Sequence, residues 1–265
     1  MLFTMTVTGR LVWITGASSG IGEALAYDLS RRGARLVLSS RRGDALCDVR
    51  ERCVRPEEHV VQTLDLAEPE SLHAAAERVR SEVGPVDVLI NNGGISQRGT
   101  AADTDMAAVR RIMEVNFFGA VELTKAVLPT MQRRGRGHIA VVSSVVGKFS
   151  TPLRTSYAAS KHALHGWYDG LRAEVHDDNI GITIVCPGFV RTNVGSNALD
   201  ADGNPLGERA QEQGIPAEDC AAVIGDAIEQ DRAETYVGGW ETIGVYVKRF
   251  FPALFRRFIR QYDGT

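Results

Sequence analysis

The 265-residue sequence predicts a doubly wound α/β fold, a parallel sheet with helices on both faces. Three observations carry this. Short, nearly continuous apolar runs alternate with longer amphipathic stretches, as buried parallel strands and their crossover helices require. A glycine-rich turn, Thr15-Gly16-Ala17-Ser18-Ser19-Gly20-Ile21-Gly22, sits directly between the first apolar run and the first amphipathic one. No internal repeat or low-complexity linker divides the chain, so one domain spanning 1–265 is the economical reading.

The elements follow in order. Residues 11–14 read as a strand and 21–32 as a helix stopped at Gly33. A second strand, 36–38, precedes a helical stretch over 43–54, and 59–62 forms a third strand before a helix over 69–84. Strand 86–90 leads to one long helix over 104–133. Strand 139–142, a helix containing Tyr157, strand 182–186, a helix over 216–230 and strand 235–237 complete the series. The segment 188–214 breaks the rhythm: it is rich in Gly, Asn and Asp and too long for a plain connection. It is expected to act as a substrate loop at the carboxyl ends of the strands.

Composition narrows the class. Apolar residues make up 44 % and charged residues 24 %, and the net charge of −3 gives no reason to expect nucleic acid as a partner. Cys47, Cys53, Cys186 and Cys220 lack the spacing of a zinc or disulfide framework, so reduced thiols in a cytoplasmic setting are expected. The N-terminal MLFTMTVTG has no basic stretch and no long apolar run, which argues against a cleaved signal.

Chemistry gathers at a few positions. Glycines between a strand and a helix allow a tight turn and let backbone N–H groups approach a pyrophosphate at the helix N-terminus. A structural turn explains a bare glycine triplet as well. Tyr157 and Lys161 are four residues apart, hence on one helical face. Ser144 lies thirteen residues before Tyr157 at a strand end, with Ser143 as its competitor. Asn116 is a polar residue among apolar ones in the long helix, where a structural role is by itself the favoured reading. After the second strand comes Ser39-Ser40-Arg41-Arg42, with no carboxylate for an adenosine 2′-hydroxyl. Arg41 and Ser40 suit a 2′-phosphate, which favours NADP(H) over NAD(H); a merely solvated approach to the helix is the plain alternative. His162 and His165 invite a metal reading, but the spacing supplies no third ligand and no metal is expected.

Taken together, TGASSGIG, Asn91-Asn92-Gly93-Gly94, Ser144, Tyr157-xxx-Lys161 and Pro187-Gly188 resemble the short-chain dehydrogenase/reductase family, in the right order over about residues 9–237. Gly93 departs from the pattern, where Ala is usual; the loss of one methyl group is expected to be tolerated. The resemblance implies a Rossmann-like sheet and a dinucleotide held by Gly16, Ser18, Ser19, Gly20, Ile21, Gly22, Ser40, Arg41, Arg42, Asp65, Leu66, Asn92 and Gly93. It adds Tyr157, Lys161, Pro187, Gly188, Val190 and Thr192 around the nicotinamide. It casts Tyr157 as proton donor, Lys161 as its electrostatic partner and ribose ligand, Ser144 as donor to the carbonyl oxygen, and Asn116 as holder of a relay water. The implied activity is reduction of a hydrophobic carbonyl or oxidation of a secondary alcohol. A 3-oxoacyl-thioester reductase is the alternative within enzymes, and a non-catalytic dinucleotide-binding regulator the alternative outside them. A homodimer or homotetramer is implied through the helices containing Asn116 and Tyr157.

Beyond the usual end of the fold, about 240–265 interleaves Lys248, Arg249, Arg256, Arg257 and Arg260 with Phe250, Phe251, Leu254, Phe255, Phe258 and Ile259. Such an amphipathic extension suits a membrane interface, giving a cytoplasmic protein with peripheral membrane contact. Packing over the substrate opening or onto a partner subunit suits it equally.

Overall fold

Apolar alternation along the strands builds the molecule from its middle outward. In β1 (Leu11–Thr15), Val12 and Ile14 face one side of the sheet while Leu11 and Trp13 face the other, and all four are buried. The computed structural model describes residues 5–192, 198–207 and 213–262. It forms a seven-stranded parallel sheet in the order β3-β2-β1-β4-β5-β6-β7. The other strands are β2 (Arg35–Ser39), β3 (Val60–Val61), β4 (Val88–Asn91), β5 (Gly137–Val142), β6 (Ile180–Pro187) and β7 (Glu234–Val237).

On one face, α1 (Gly20–Arg31), α2 (Gly43–Glu51) and α7 (Ala217–Glu229) bury Leu25, Leu29, Leu46, Ile224 and Ile228 against Val12, Ile14, Leu36 and Ile90. On the other, α3 (Pro69–Arg78), α5 (Gly119–Arg134) and α6 (Thr155–Glu174) bury Leu72, Leu123, Leu164 and Tyr168 against Trp13, Val37, Leu89 and Ile139. The expected doubly wound, Rossmann-like architecture is the one observed. The chain runs outward from β1 through β2 to β3, then returns to β4 on the opposite side. That reversal between β1 and β4 opens a crevice at the carboxyl ends of the strands.

The long helix expected over 104–133 is interrupted. It is α4 (Met106–Met113), one wide π turn over Glu114–Phe118, and then α5. Two contacts account for the widening. Gly119 packs so closely on Leu66 O that a Cβ would collide, and the Asn116 side chain turns inward to bond the Ile95 backbone. The helix over 69–84 likewise ends in a π turn, Val79–Val83. Within 188–214, residues 193–197 and 208–212 lie outside the described residues. The described part folds back on the chain after β4: Leu199 N donates to Ser96 O at 3.0 Å and Arg98 N to Leu199 O at 2.8 Å. After β7 come α8 (Ile243–Phe250) and α9 (Pro252–Ile259), with Pro252 in the first turn of α9 where its missing N–H costs nothing. Among the described residues no helix is long and apolar enough to cross a membrane.

Candidate active site

β1 delivers Thr15 to the crevice, and Thr15 ties the glycine turn to the end of β4. Its Oγ1 accepts from Asn92 N and from Gly93 N, both at 3.0 Å, while Asn92 Nδ2 donates to Thr15 O at 3.0 Å. Gly16 has φ +66°, and a Cβ there would lie 2.7 Å from Gly93 Cα, so only glycine brings the two loops this close. Gly22 is different: a Cβ would strike Gly16 O and Asn92 Nδ2. It therefore serves the packing of α1 beneath the turn. Gly93 has Leu66 Cδ1 where an alanine methyl would go, at 2.5 Å, so Leu66 fills the space left by the departure from the family pattern.

Above this turn runs a cleft of about 430 Å³, lined by Gly16, Ser18, Ser19, Gly20, Ile21, Ser40, Arg41, Arg42, Asp65, Leu66, Asn92 and Gly93 at one end. Ser144, Tyr157, Lys161, Pro187, Gly188, Val190 and Thr192 line the other. Its charge is lopsided. Among the described residues, Arg41, Arg42, Arg111, Arg154 and Lys161 face it against the single carboxylate of Asp65. Asp65 is itself committed, with Oδ1 accepting from Ala67 N at 3.0 Å and Oδ2 at 3.5 Å from Arg111. Arg42 Nη2 reaches across to the Ser18 and Ser19 hydroxyls, 2.9 Å from each, and so braces the glycine turn. Arg41 is exposed and has no ion-pair partner among the described residues. The residues fit a dinucleotide: a side-chain-free cradle at Gly16 and Gly20, hydroxyl and backbone donors at the uncapped start of α1, and cations beyond β2.

At the other end α6 brings the chemical groups together. Lys161 is buried, 4 % exposed, and its Nζ donates to Val142 O at the end of β5, 2.8 Å away. The same ammonium lies 5.7 Å from the centre of the Tyr157 ring, as the spacing of four residues predicts. Ser144 Oγ donates to Pro187 O at 3.1 Å and accepts from Val146 N at 3.3 Å. Ser143, its competitor, faces away: its Oγ donates to Lys161 O at 3.2 Å and meets His165 Nε2 at 3.0 Å. Asn116 does not line the cleft. It is 1 % exposed and stitches the loop after β4 to α6, with Oδ1 accepting from Ile95 N at 2.8 Å and Nδ2 donating to Ile95 O and Ser160 Oγ at 2.9 Å.

The electrostatics differ from the expectation that Lys161 dominates the phenol. Burial raises the Tyr157 pKa, and Arg154 and hydrogen bonding from Ser144 offset this only in part. Burial also lowers the Lys161 ammonium from 10.5 to about 8. Between those two values the unfolded chain holds a proton that the folded chain has released, so stability of the cofactor-free protein rises with pH across that window. Lys161→Met is therefore expected to raise the melting temperature at pH 7 by a few degrees while abolishing activity. The gain should vanish as pH climbs through the Lys161 window, which thermal melts across pH will measure. A melting temperature below wild type at every pH contradicts this account.

Two positioning residues escaped the sequence reading. Gln97 is fully buried, and its Oε1 accepts from Ser156 N at 2.8 Å and from Tyr157 N at 3.4 Å, so an amide 60 residues upstream of Tyr157 caps α6. Glu241 Oε1 accepts from Phe189 N at 2.9 Å and Gly239 N at 3.0 Å, tying the chain after β7 to the turn at Gly188. A lone polar residue gave the only signal in each case. His165, considered above with His162, does meet two further groups, Cys186 and Glu234, with ligand atoms within 4.8 Å. Lys148 already occupies Glu234 at 2.5 Å, and His162 Nδ1 faces Ala158 O instead.

The family model for short chain dehydrogenases matches residues 10–202. The mouse protein named dehydrogenase/reductase SDR family member 7B is 40 % identical over 255 residues, covering 93 % of this chain and 79 % of that protein. A short chain dehydrogenase from Burkholderia cenocepacia, solved in complex with NADP, is 27 % identical with a TM-score of 0.79, covering 96 % of this chain and 98 % of that one. A short chain dehydrogenase/reductase from Burkholderia phymatum, solved in complex with NAD, has a TM-score of 0.83 at 23 % identity, covering 94 % of this chain and 96 % of that one; it speaks to the fold alone.

Proposed function

The chain belongs to the short-chain dehydrogenase/reductase family, and we propose that it is an NADP(H)-dependent oxidoreductase acting on a hydrophobic carbonyl or secondary alcohol. One observation carries this reading. A single cleft has a carboxylate-poor, arginine-bearing end at Ser40, Arg41 and Arg42 and a serine–tyrosine–lysine group at the other.

A nicotinamide held in the cleft would supply or accept the hydride; the remaining work falls to side chains. Negative charge that develops on a carbonyl oxygen needs a proton close by. The Tyr157 phenol gives it, while the Ser144 hydroxyl orients the same oxygen by hydrogen bonding. Burial leaves an isolated phenol reluctant to ionise, so Arg154 and Lys161 matter as the cations that favour phenolate once the proton has gone. Asn116 and Gln97 keep α6 and the loop after β4 in register, so that phenol and hydroxyl meet one oxygen. Leu199 and Pro205 add apolar wall to the cleft, which supports a hydrophobic substrate.

The test is oxidation of NADPH and of NADH across ketones, aldehydes and acetoacetyl thioesters. Turnover is expected with apolar ketones or aldehydes and NADPH. Turnover confined to the thioesters replaces the substrate assignment, and preference for NADH overturns the cofactor assignment.

A further inference from the structure

α8 and α9 use only one side of themselves to hold the fold. Phe255 packs edge-on against Phe149 with ring centres 5.3 Å apart, and Val245, Val247 and Ile259 join it against Val145, Val146 and Ala158. The opposite side is apolar and uncovered. Ile243, Tyr246 and Phe250 recur at the i, i+3, i+7 spacing of one face of α8, Phe251 follows between the helices, and Leu254 and Phe258 extend the surface on α9, each 54–67 % exposed. With Trp240, they make up seven of the eleven large apolar side chains left exposed among the described residues. Scattered exposed apolar groups are ordinary, but a concentration on two consecutive helices marks a contact surface.

Charge selects the occupant. Residues 243–260 hold Lys248, Arg249, Arg256, Arg257 and Arg260 and no acid, in a chain whose net charge is −3, so the remainder sums to −8. Arg249, Arg256, Arg257 and Arg260 take part in none of the ion pairs among the described residues. A second copy docked through this face by a two-fold axis would set these arginines against their own symmetry mates. An anionic bilayer meets both properties at once: acyl chains accept the aromatic stripe while lipid phosphates pair with the flanking arginines.

We propose that α8 and α9 form a membrane-docking surface that seats their outer apolar face at the headgroup level of an anionic phospholipid bilayer. The surface adjoins the catalytic end of the cleft, since Tyr157 packs on the same cluster as Phe255 and Glu241 holds the turn at Gly188 and Phe189. An apolar substrate dissolved in the bilayer would thus arrive beside Ser144. The proposal rests on this surface and stands apart from the cofactor and substrate assignments.

The test is co-sedimentation of the full chain with phosphatidylcholine vesicles, with and without phosphatidylserine. Binding is expected to be at least about tenfold tighter to the phosphatidylserine vesicles and to weaken with salt. Two variants, Phe250→Ser/Phe251→Ser/Leu254→Ser/Phe258→Ser and Arg249→Glu/Arg256→Glu/Arg257→Glu, should each lose at least about tenfold in vesicle affinity. Their melting temperatures should stay within a few degrees of wild type, since none of these side chains packs inward. Equal recovery of wild type in the supernatant with and without vesicles overturns the proposal. So does a wild-type dimer that becomes monomeric in the serine variant without any vesicle binding, which would make the face a subunit interface.

Discussion

Tyr157→Phe is expected to lower kcat/KM for carbonyl reduction by about 10³-fold, within the range that a positioned general acid contributes. The substitution removes one oxygen and leaves the ring, so packing on Val145 and Ala158 is retained. Affinity for NADPH should change by less than about tenfold, because the glycine turn, Arg41 and Arg42 lie at the far end of the cleft. Fluorescence titration of the cofactor alongside steady-state kinetics separates the two effects. The residual rate should also lose the limb of the pH profile that reports ionisation of the phenol. Wild-type-like turnover by Tyr157→Phe removes the proton donor from the mechanism. A parallel loss of cofactor affinity would instead assign the defect to a distorted cleft.

The reason Tyr157 is suited to this role is visible only when sequence and structure are combined. Spacing alone predicted that phenol and ammonium share a helical face, and they do. What spacing could not supply is the dielectric. Tyr157 and Lys161 line the cleft beside Ser144, where burial opposes ionisation of both, raising one pKa and lowering the other. Two reluctant ions side by side are an economical arrangement for proton transfer. The ammonium offsets the desolvation of the phenolate once charge develops, and burial keeps the phenol protonated beforehand, ready to donate.

The strands were legible because parallel strands buried on both faces must be apolar almost throughout, a demand that runs such as Leu36-Val37-Leu38 meet. The glycine turn was legible because Gly16 needs a positive φ and a close neighbour, a demand that leaves a mark on one residue. Gly22 looked the same in the sequence but answers to helix packing. The wide turn at Glu114–Phe118 left no mark, since its residues read as continuous helix; what opens it is Leu66 O against Gly119 and the Ile95 backbone against Asn116, both distant in the chain. Gln97 was silent for the same reason. Its partners, the N–H groups of Ser156 and Tyr157, are missing hydrogen bonds that only a folded helix end creates.

Arg41→Ala is expected to raise KM for NADPH by about 10- to 100-fold with kcat little changed and KM for NADH nearly unaltered, the loss of one charge-assisted contact to a 2′-phosphate. The effect should fall on KM because that phosphate is bound equally in ground and transition states. Arg42 makes the comparison informative. Its guanidinium already braces Ser18 and Ser19 across the glycine turn. Arg42→Ala should therefore weaken both cofactors, since loosening the turn costs pyrophosphate binding whichever ribose follows. Ser40→Asp adds a carboxylate directly after β2, repelling a 2′-phosphate and offering an acceptor to a 2′-hydroxyl. The three variants thus predict different signatures: selective loss, general loss and a shift toward NADH. Steady-state kinetics with both cofactors reads them directly. Equal losses for NADPH and NADH in Arg41→Ala would show that the arginine acts through the general positive field of the cleft, and would end the case for a dedicated phosphate site beyond β2.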